Sequence, residues 1–509
     1  MDIGSGLRRL RSYASLDVLD RVQPSELALV LVLAVIGLLV RLVTVDTDTI
    51  HGDEALYASY GLHIVQGKDW LLIHVGFAVD KIPLFYWAEA IAIRLFGNAP
   101  LSIRLVDITA SLATIGAVYV LARDLAGRAA GWTAGLAMAL SPFAILFGAS
   151  IFTDPFAIGL GFVGLALARR DHACSAGILV GLSLGGKLFG LAYLPLALVL
   201  LLTVSASSRR RAAVVFLIAF AVTAGALFGM MAVRTEVFGA PWFLSTSFDE
   251  VGGTGLVSPA EWGPRLSGWW SYAIQYFAQS NLLRLVAGIG LVGALVAAIR
   301  IRGRLGLAIA AVCAFSPAYL VFMVVAQSPL YDRYMFYILP TLCVAAGIGI
   351  GELLRVVRRS SLRRALLVAL TVVVVVRSVP IVAQAEAGAY PIGPRSDPAM
   401  TGYRQMCSWL QARSTVPIIV WNQSLSWTLG YCLMGTQAYG YWYPDLATIT
   451  THDSQTYLAL STLDEREAAV AALRARGMTV NLVETVEVGP IPNLWVYQLL
   501  PGPSTSVAP

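Results

Sequence analysis

The chain has 509 residues, 57% of them hydrophobic and 13% charged, with a mean hydropathy of +0.72. Soluble domains carry about 25% charged residues, so a soluble globular enzyme is excluded. The 36 Lys and Arg against 30 Asp and Glu leave a formal charge of +6, but the arginines fall in short breaks between apolar runs, where they set membrane orientation, and no aromatic-interleaved basic patch calls for nucleic acid.

Apolar runs such as Leu27 to Val40, Ala212 to Val233 and Leu366 to Val376 approach the roughly 20 residues that cross a bilayer as helix. The N-terminal segment, 1–24, carries Arg8, Arg9, Arg11 and Arg21. With no small-residue cleavage site after the run that follows, it reads as a cytosolic start with a retained first helix. Further clusters stand at Arg123 and Arg128, Arg169 and Arg170, Arg209 to Arg211, Arg300 to Arg304, and Arg355 to Arg364. Assigning each to the cytosol gives about eleven alternating spans.

That path sends three stretches outward: a first loop at 45–102, a loop at 234–279, and everything after 384. The first loop holds an expected helix over Ala55 to Gln66 and a charged, semi-apolar stretch, Ile82 to Phe96, that suits a helix lying in the interface. In the second loop, Trp242, Trp262, Trp269 and Trp270 suit either stacking on sugar rings or an interfacial aromatic belt. Pro391, Gly393, Pro394 and Pro398 mark a linker. The remaining residues read as a small extracytoplasmic α/β domain: a helix over Tyr403 to Ala412, a strand at Pro417 to Trp421, a helix over Asp464 to Arg476, and strands at Thr479 to Val486 and Leu494 to Leu499. The expected organisation is a transmembrane catalytic domain, 25–383, followed by an outer domain, 384–509, with a disordered tail. Cys407 and Cys432 fall outside the membrane, where a disulfide can form; Cys174, Cys313 and Cys343 lie in or beside apolar segments.

Ionisable groups at membrane depth or at its edge cost free energy unless partnered. Five positions stand out: Asp53 with Glu54, Asp80 with Lys81, Asp154, Lys187, and Asp332 with Arg333. Each falls at the outer end of a span or in the first loop. Each also has a plainer account: Asp53 as a helix N-cap, Asp80-Lys81 as a solvated loop, Asp154-Pro155 as an ordinary helix start, Lys187 as a snorkelling side chain, and Asp332-Arg333 as a structural pair.

Together, carboxylates and cations around an outward cavity suit transfer of a group from a lipid phosphate. The departing phosphate needs preorganised cations, and an attacking hydroxyl needs a carboxylate to take its proton. The remaining carboxylates suit a divalent ion. No Walker or HExxH motif is present, so ATP-driven transport and zinc proteolysis have no support.

His51-Gly52-Asp53-Glu54-Ala55-Leu56-Tyr57, Asp80-Lys81-Ile82-Pro83-Leu84-Phe85-Tyr86-Trp87, Thr153-Asp154-Pro155, and Asp332-Arg333-Tyr334 ending in Leu339-Pro340 resemble the polytopic GT-C glycosyltransferases. The branch they resemble is that of the protein O-mannosyltransferases and the lipid A aminoarabinose transferase. The likeness covers roughly 25–350. It implies Asp53 as general base with Glu54 in support, and Lys81, Lys187, Arg333 and Tyr334 at the donor phosphate. It also implies Asp80 and Asp154 as ligands of a divalent ion, Mg, Mn or Zn. Asp80 departs from the Glu of the aminoarabinose transferases, shortening its reach by one methylene. The implied activity is transfer of a sugar from a polyprenyl-phosphate donor to an unidentified acceptor hydroxyl, inverting, at the outer face of the inner (plasma) membrane. The alternative is a transporter or flippase of a lipid-linked sugar, which predicts polar residues near the midplane, whereas the charges here gather at one edge.

Overall fold

The computed structural model describes residues 24–45, 50, 52–73, 81–97, 100–204, 209–239, 242–245, 255–277, 280–386, 402–443, 445–451, 455–462, 464–488 and 491–501. The chain divides into two compact units. The first unit comprises 1–44, 67–88 and 104–387, and the second 45–66, 89–103 and 388–509.

The helices in chain order are α1 (Pro24–Thr44), α2 (Gly52–Val65), α3 (Leu84–Phe96), α4 (Pro100–Ala126), α5 (Arg128–Leu140), α6 (Pro142–Phe147), α7 (Thr153–Arg169), α8 (Ala173–Ser183), α9 (Tyr193–Val204), α10 (Arg209–Phe238), α11 (Pro259–Phe277), α12 (Asn281–Arg300), α13 (Gly303–Val325), α14 (Leu339–Val356) and α15 (Ser360–Glu386). Short 3₁₀ turns, Leu188–Ala192 and Asp332–Ile338, lead into α9 and α14. Among the described residues, seven helices are long and apolar enough to cross a membrane, and the stretches Ala173–Ser183 and Leu188–Val204 are shorter apolar helices. The chain is a multi-pass membrane protein. Beyond Arg128 the helix breaks at Ser141-Pro142 into α5 and α6.

In the first unit, α1 buries a stripe of Leu33, Gly37, Arg41 and Thr44 and exposes Leu27, Leu31, Val35 and Leu39. Inverted solvation of this kind is what a lipid-facing helix requires. Helix contact rests on small residues, since apolar side chains gain little from leaving lipid. A Cβ at Gly347 of α14 would lie 2.5 Å from Ala130 O of α5, and one at Gly349 would run into Gly290 O of α12. The arginine-rich breaks meet at one end of the unit: Glu26 at the start of α1 pairs with Arg123 and Arg128, and Asp124 pairs with Arg123 and with Arg170, the latter at 2.8 Å. The sequence assigns these clusters to one membrane side, and here Arg123, Arg128 and Arg170 meet at one end of the unit.

In the second unit, α16 (Tyr403–Arg413), β1 (Ile418–Asn422), α17 (Ser426–Leu433), β2 (Ala438–Trp442), β3 (Gln455–Ser461), α18 (Arg466–Ala475), β4 (Thr479–Val488) and β5 (Ile491–Leu500) form an α/β domain. Its sheet runs β2-β1-β3-β5-β4. β1 pairs in parallel with β2 and β3, while β5 pairs antiparallel with β3 and β4. Trp421, Leu458, Leu460, Val470, Leu473 and Leu499 build the core under α18. A disulfide, Cys407–Cys432, ties α16 to α17. Helix α17 packs on α2, and Thr428 Oγ1 donates to Ile50 O at 3.5 Å. The helix bearing Asp53 and Glu54 is therefore seated on the α/β domain.

Candidate active site

The first unit gathers Lys81, Asp154, Lys187, Arg333 and Tyr334. Asp154 lies in the first turn of α7, and Arg169 closes that helix. At 1.5 Å per residue, about 22 Å of helix separates the carboxylate from the arginine-rich end. The site is thus at the opposite end of α7 from those clusters.

Asp154 is 1% exposed. It does not cap its helix: the cap position is Phe152 and no side chain bonds there. The expected helix-start role gives way to another, because both carboxylate oxygens accept from Lys187 Nζ, at 3.0 and 3.2 Å. Gly185 and Gly186 make that approach possible. A Cβ on Gly186 would press on Ala157 and on Thr153 O at 3.0 Å, and one on Gly185 would lie 2.5 Å from Leu84. Lys187 does not snorkel away; its Nζ sits 4.5 Å from the ring centre of Tyr334, a cation–π arrangement.

Lys187 lies in the turn between α8 and the following 3₁₀ helix. Burial, chiefly, pushes its ammonium down to about 8; Asp154 opposes that fall, and Arg333 and Lys81 add to it. Lys187 and Arg333 share the ring of Tyr334, and an anion placed between such like charges relieves their repulsion.

Arg333 stands in the 3₁₀ segment Asp332–Ile338. Its guanidinium lies over Phe152, Tyr331 and Tyr334 at 5.1, 4.9 and 5.9 Å. The segment is held by two tyrosine hydroxyls: Tyr319 donates to Tyr334 O at 3.1 Å and Tyr193 to Tyr337 O at 3.0 Å. Asp332 accepts from the Arg333 backbone N–H at 2.6 Å. Lys81 is half-buried, and its carbonyl accepts from Arg234 at 3.4 Å.

Sequence reading misses Asp107. This carboxylate, 1% exposed in α4, accepts from Phe152 N at 2.7 Å and so fixes the ring under Arg333 and the entry to Asp154. Its signal was present, an Asp inside an apolar helix. Its partner, 45 residues away in sequence, was not legible. Of the four tryptophans read as either sugar-stacking or an interfacial belt, Trp269 is fully buried and donates to Met323 O at 3.1 Å, whereas Trp242, Trp262 and Trp270 are exposed.

Asp53 and Glu54 belong to the second unit. Helix α2 starts at Gly52, so Asp53 is inside the first turn rather than at the cap, where the helix dipole favours its ionised form. Glu54 is buried and Asp53 half-exposed, as the roughly 100° between successive helical residues requires. Asp80 lies outside the described residues. Among the described residues, no group of three His, Cys, Asp or Glu gathers to hold a metal.

Residues 80–231 match the family model of dolichyl-phosphate-mannose-protein mannosyltransferase. No curated protein matches the chain in sequence. Among solved structures, ArnT from Cupriavidus metallidurans in the apo state superposes with a TM-score of 0.64 at 19% identity, over 93% of this chain and 98% of that one. The chain has an ArnT-like GT-C fold. The same ArnT bound to undecaprenyl phosphate matches at TM-score 0.63 and 17% identity, over 92% and 97% of the two chains. The Archaeoglobus fulgidus oligosaccharyltransferase tethered with an acceptor peptide matches in fold at TM-score 0.53 and 11% identity, over 86% of this chain and 69% of that one. Its complex with Zn and sulfate matches at 0.52 and 13%, over 82% and 62%.

Proposed function

We propose that the chain is an integral-membrane glycosyltransferase moving a sugar from a polyprenyl-phosphate donor to an acceptor hydroxyl. The observation that carries this reading is the gathering of Lys187 and Arg333 on the ring of Tyr334, beside a buried Asp154 paired with Lys187. The match of 80–231 to a polyprenyl-type mannosyltransferase family and the ArnT-like fold support it. No observation favours transport.

In this reading Asp53 takes the proton of the acceptor hydroxyl as its oxygen bonds to the anomeric carbon, with Glu54 supporting the site. The bond from that carbon to the phosphate oxygen breaks, its electron pair leaves on the phosphate, and configuration inverts. Lys81, Lys187 and Arg333 stabilise the phosphate charge, and Tyr334 holds Lys187 and Arg333 from the ring side. A divalent ion, Mg, Mn or Zn, belongs to the reading as a competitor of Lys187 for Asp154, with Asp80 as second carboxylate. Lys187 already occupies both Asp154 oxygens, so an ion would have to displace it. The location is the plasma membrane, N-terminus cytosolic and α/β domain outside; the Cys407–Cys432 disulfide supports an oxidising side for that domain.

The test is release of free polyprenyl phosphate from radiolabelled polyprenyl-phosphate sugars by purified protein with a crude envelope acceptor extract. Wild type releases it and Asp53→Asn, equally folded by thermal melt, does not. Release at equal rates by both proteins would remove Asp53 as base. No release across a broad donor panel, with lipid-linked sugar crossing proteoliposomes, would replace transfer with transport.

A further inference from the structure

Strands β1 and β3 are parallel neighbours, and the chain leaves their carboxyl ends toward opposite faces of the sheet. After β3 it enters α18, whose Ala469, Val470 and Leu473 pack with Trp421, Leu458 and Leu460. After β1 it enters α17, whose Leu429 and Leu433 lie 3.7 Å from a Cβ built on Gly440. Gly440 pairs with Val420, so α17 covers the face of Val420 and Asn422, not that of Trp421. Connections that diverge from adjacent parallel strands open a crevice at their carboxyl ends, the place where open α/β sheets bind ligands.

The residues at this point are polar and preorganised. Ser424, two positions beyond β1, donates from Oγ to Asp464 Oδ2 at 2.7 Å and lies 2.7 Å from the Oγ of Ser461, the last residue of β3. Ser461 N donates to the same Oδ2 at 2.6 Å. Asn422, the last residue of β1, is 1% exposed; its Nδ2 donates to Tyr441 O at 3.1 Å, while its Oδ1 is buried with no hydrogen-bond partner among the described residues. A buried amide oxygen left unpaired is a cost that a ligand donor removes. Tyr443 lies beside them: burial, and then the Asp464 carboxylate, push its phenol up to about 12, so it remains a hydroxyl. Ser424 and Asp464 are half-buried, which keeps the crevice reachable.

The chemistry selects the ligand class. A carboxylate, two serine hydroxyls, a phenol and an amide oxygen form an acceptor-rich set. No cation is among these groups, so a phosphate is repelled. A neutral molecule with adjacent hydroxyl donors fits. We propose that this crevice is a saccharide-binding site, with Asp464, Ser424 and Asn422 Oδ1 accepting from vicinal sugar hydroxyls. The site is built by the α/β domain alone; that its occupant is the acceptor, a glycan, rests on the transferase reading above.

The experiment titrates the full chain in nanodiscs with methyl glycosides of mannose, glucose, galactose and arabinose and with a mannose oligosaccharide, read by saturation-transfer NMR, with inorganic phosphate as competitor. At least one saccharide is expected to bind at millimolar concentration, unaffected by phosphate. Affinity is expected to fall about tenfold or more in Asp464→Asn and in Ser424→Ala, the loss expected for one hydrogen bond to a charged group. Ser424→Ala leaves the Ser461 amide bonded to Asp464, so an unchanged melting temperature separates lost binding from lost folding. Absence of binding to every saccharide, displacement by phosphate, or wild-type affinity in both variants would overturn the proposal. Asp53→Asn is expected to keep saccharide binding while losing polyprenyl phosphate release, so failure of the transferase reading leaves a separate signature.

Discussion

Replacing Lys187 by Met keeps the aliphatic stem and removes the ammonium, which isolates the buried ion pair. The nitrogen lies 3.0 and 3.2 Å from the two oxygens of Asp154, whose side chain is 1% exposed against 19% for the lysine. Stripping one partner from such a pair leaves an uncompensated carboxylate and costs about 3–5 kcal/mol. The partial exposure of Lys187 favours the lower end, about 3 kcal/mol. Adding Asp154→Asn removes the stranded charge, so the double variant is expected to regain most of that loss, giving a coupling of about 2–3 kcal/mol across the cycle. The assay is reversible unfolding of all four proteins in mixed micelles. If Lys187→Met and the double variant unfold alike, the lysine does not compensate Asp154 and the electrostatic account of the site is wrong. Activity reads separately: both variants lose polyprenyl phosphate release, because restoring neutrality does not restore a cation. A lysine held near 8 is charged below that pH and neutral above it, so wild-type turnover is expected to decline as pH rises through about 8. A flat profile to pH 9 would remove Lys187 from the phosphate site.

Asp107→Ala leaves the Phe152 amide without the acceptor it now has at 2.7 Å; a loss of about 1–3 kcal/mol is expected, with kcat falling more than KM rises and partial rescue by Asp107→Asn, while equal kinetics in all three proteins would deny it a positioning role. Glu89 of α3 is fully buried, without a hydrogen-bond partner among the described residues and pressed against Gly61, and burial raises its pKa well above 4.5. The folded state then holds a proton that the unfolded state releases above about 4.5, so stability falls as pH rises from there toward the folded pKa; Glu89→Gln should abolish that slope in thermal melts from pH 4 to 8, and an unchanged slope would place its origin elsewhere. Gly349→Ala drives a methyl into Gly290 O of the neighbouring helix and is expected to cost at least about 2 kcal/mol, read in the same micelle unfolding; wild-type stability would mean that α12 and α14 are not in backbone contact.

What the sequence made legible follows from the solvent. In lipid a charged residue is an expense with no local explanation, so Lys187 and Asp154 announced themselves singly, and the structure adds that each is the other's explanation. Glycines carried the same kind of information less openly: Gly185 and Gly186 each admit a neighbouring side chain or carbonyl that any Cβ would displace. In the α/β domain the signal was weaker because water charges so little for polarity. The amphipathic helix at Arg466–Ala475 and the strands at Ile418–Asn422, Thr479–Val488 and Ile491–Leu500 were legible from their pattern. Helix Ser426–Leu433 and strands Ala438–Trp442 and Gln455–Ser461 were not: the first two are short and interrupted by Gly430 and Gly440, and β3, buried at every position but its first, lacks the alternation that marks a half-exposed strand. Missing β3 hid more than an element. Without it β1 has no parallel neighbour on that side, the divergence of the chain at Asn422 and Ser461 does not exist, and Ser424 and Asp464, 40 residues apart, remain an unremarkable serine and an unremarkable aspartate. Charge at a membrane edge can be read one residue at a time, whereas a site made by strand order can be read after the order is known. For that reason the charged cluster around Lys187 was accessible from the sequence, and the cluster of Ser424, Ser461 and Asp464 was not.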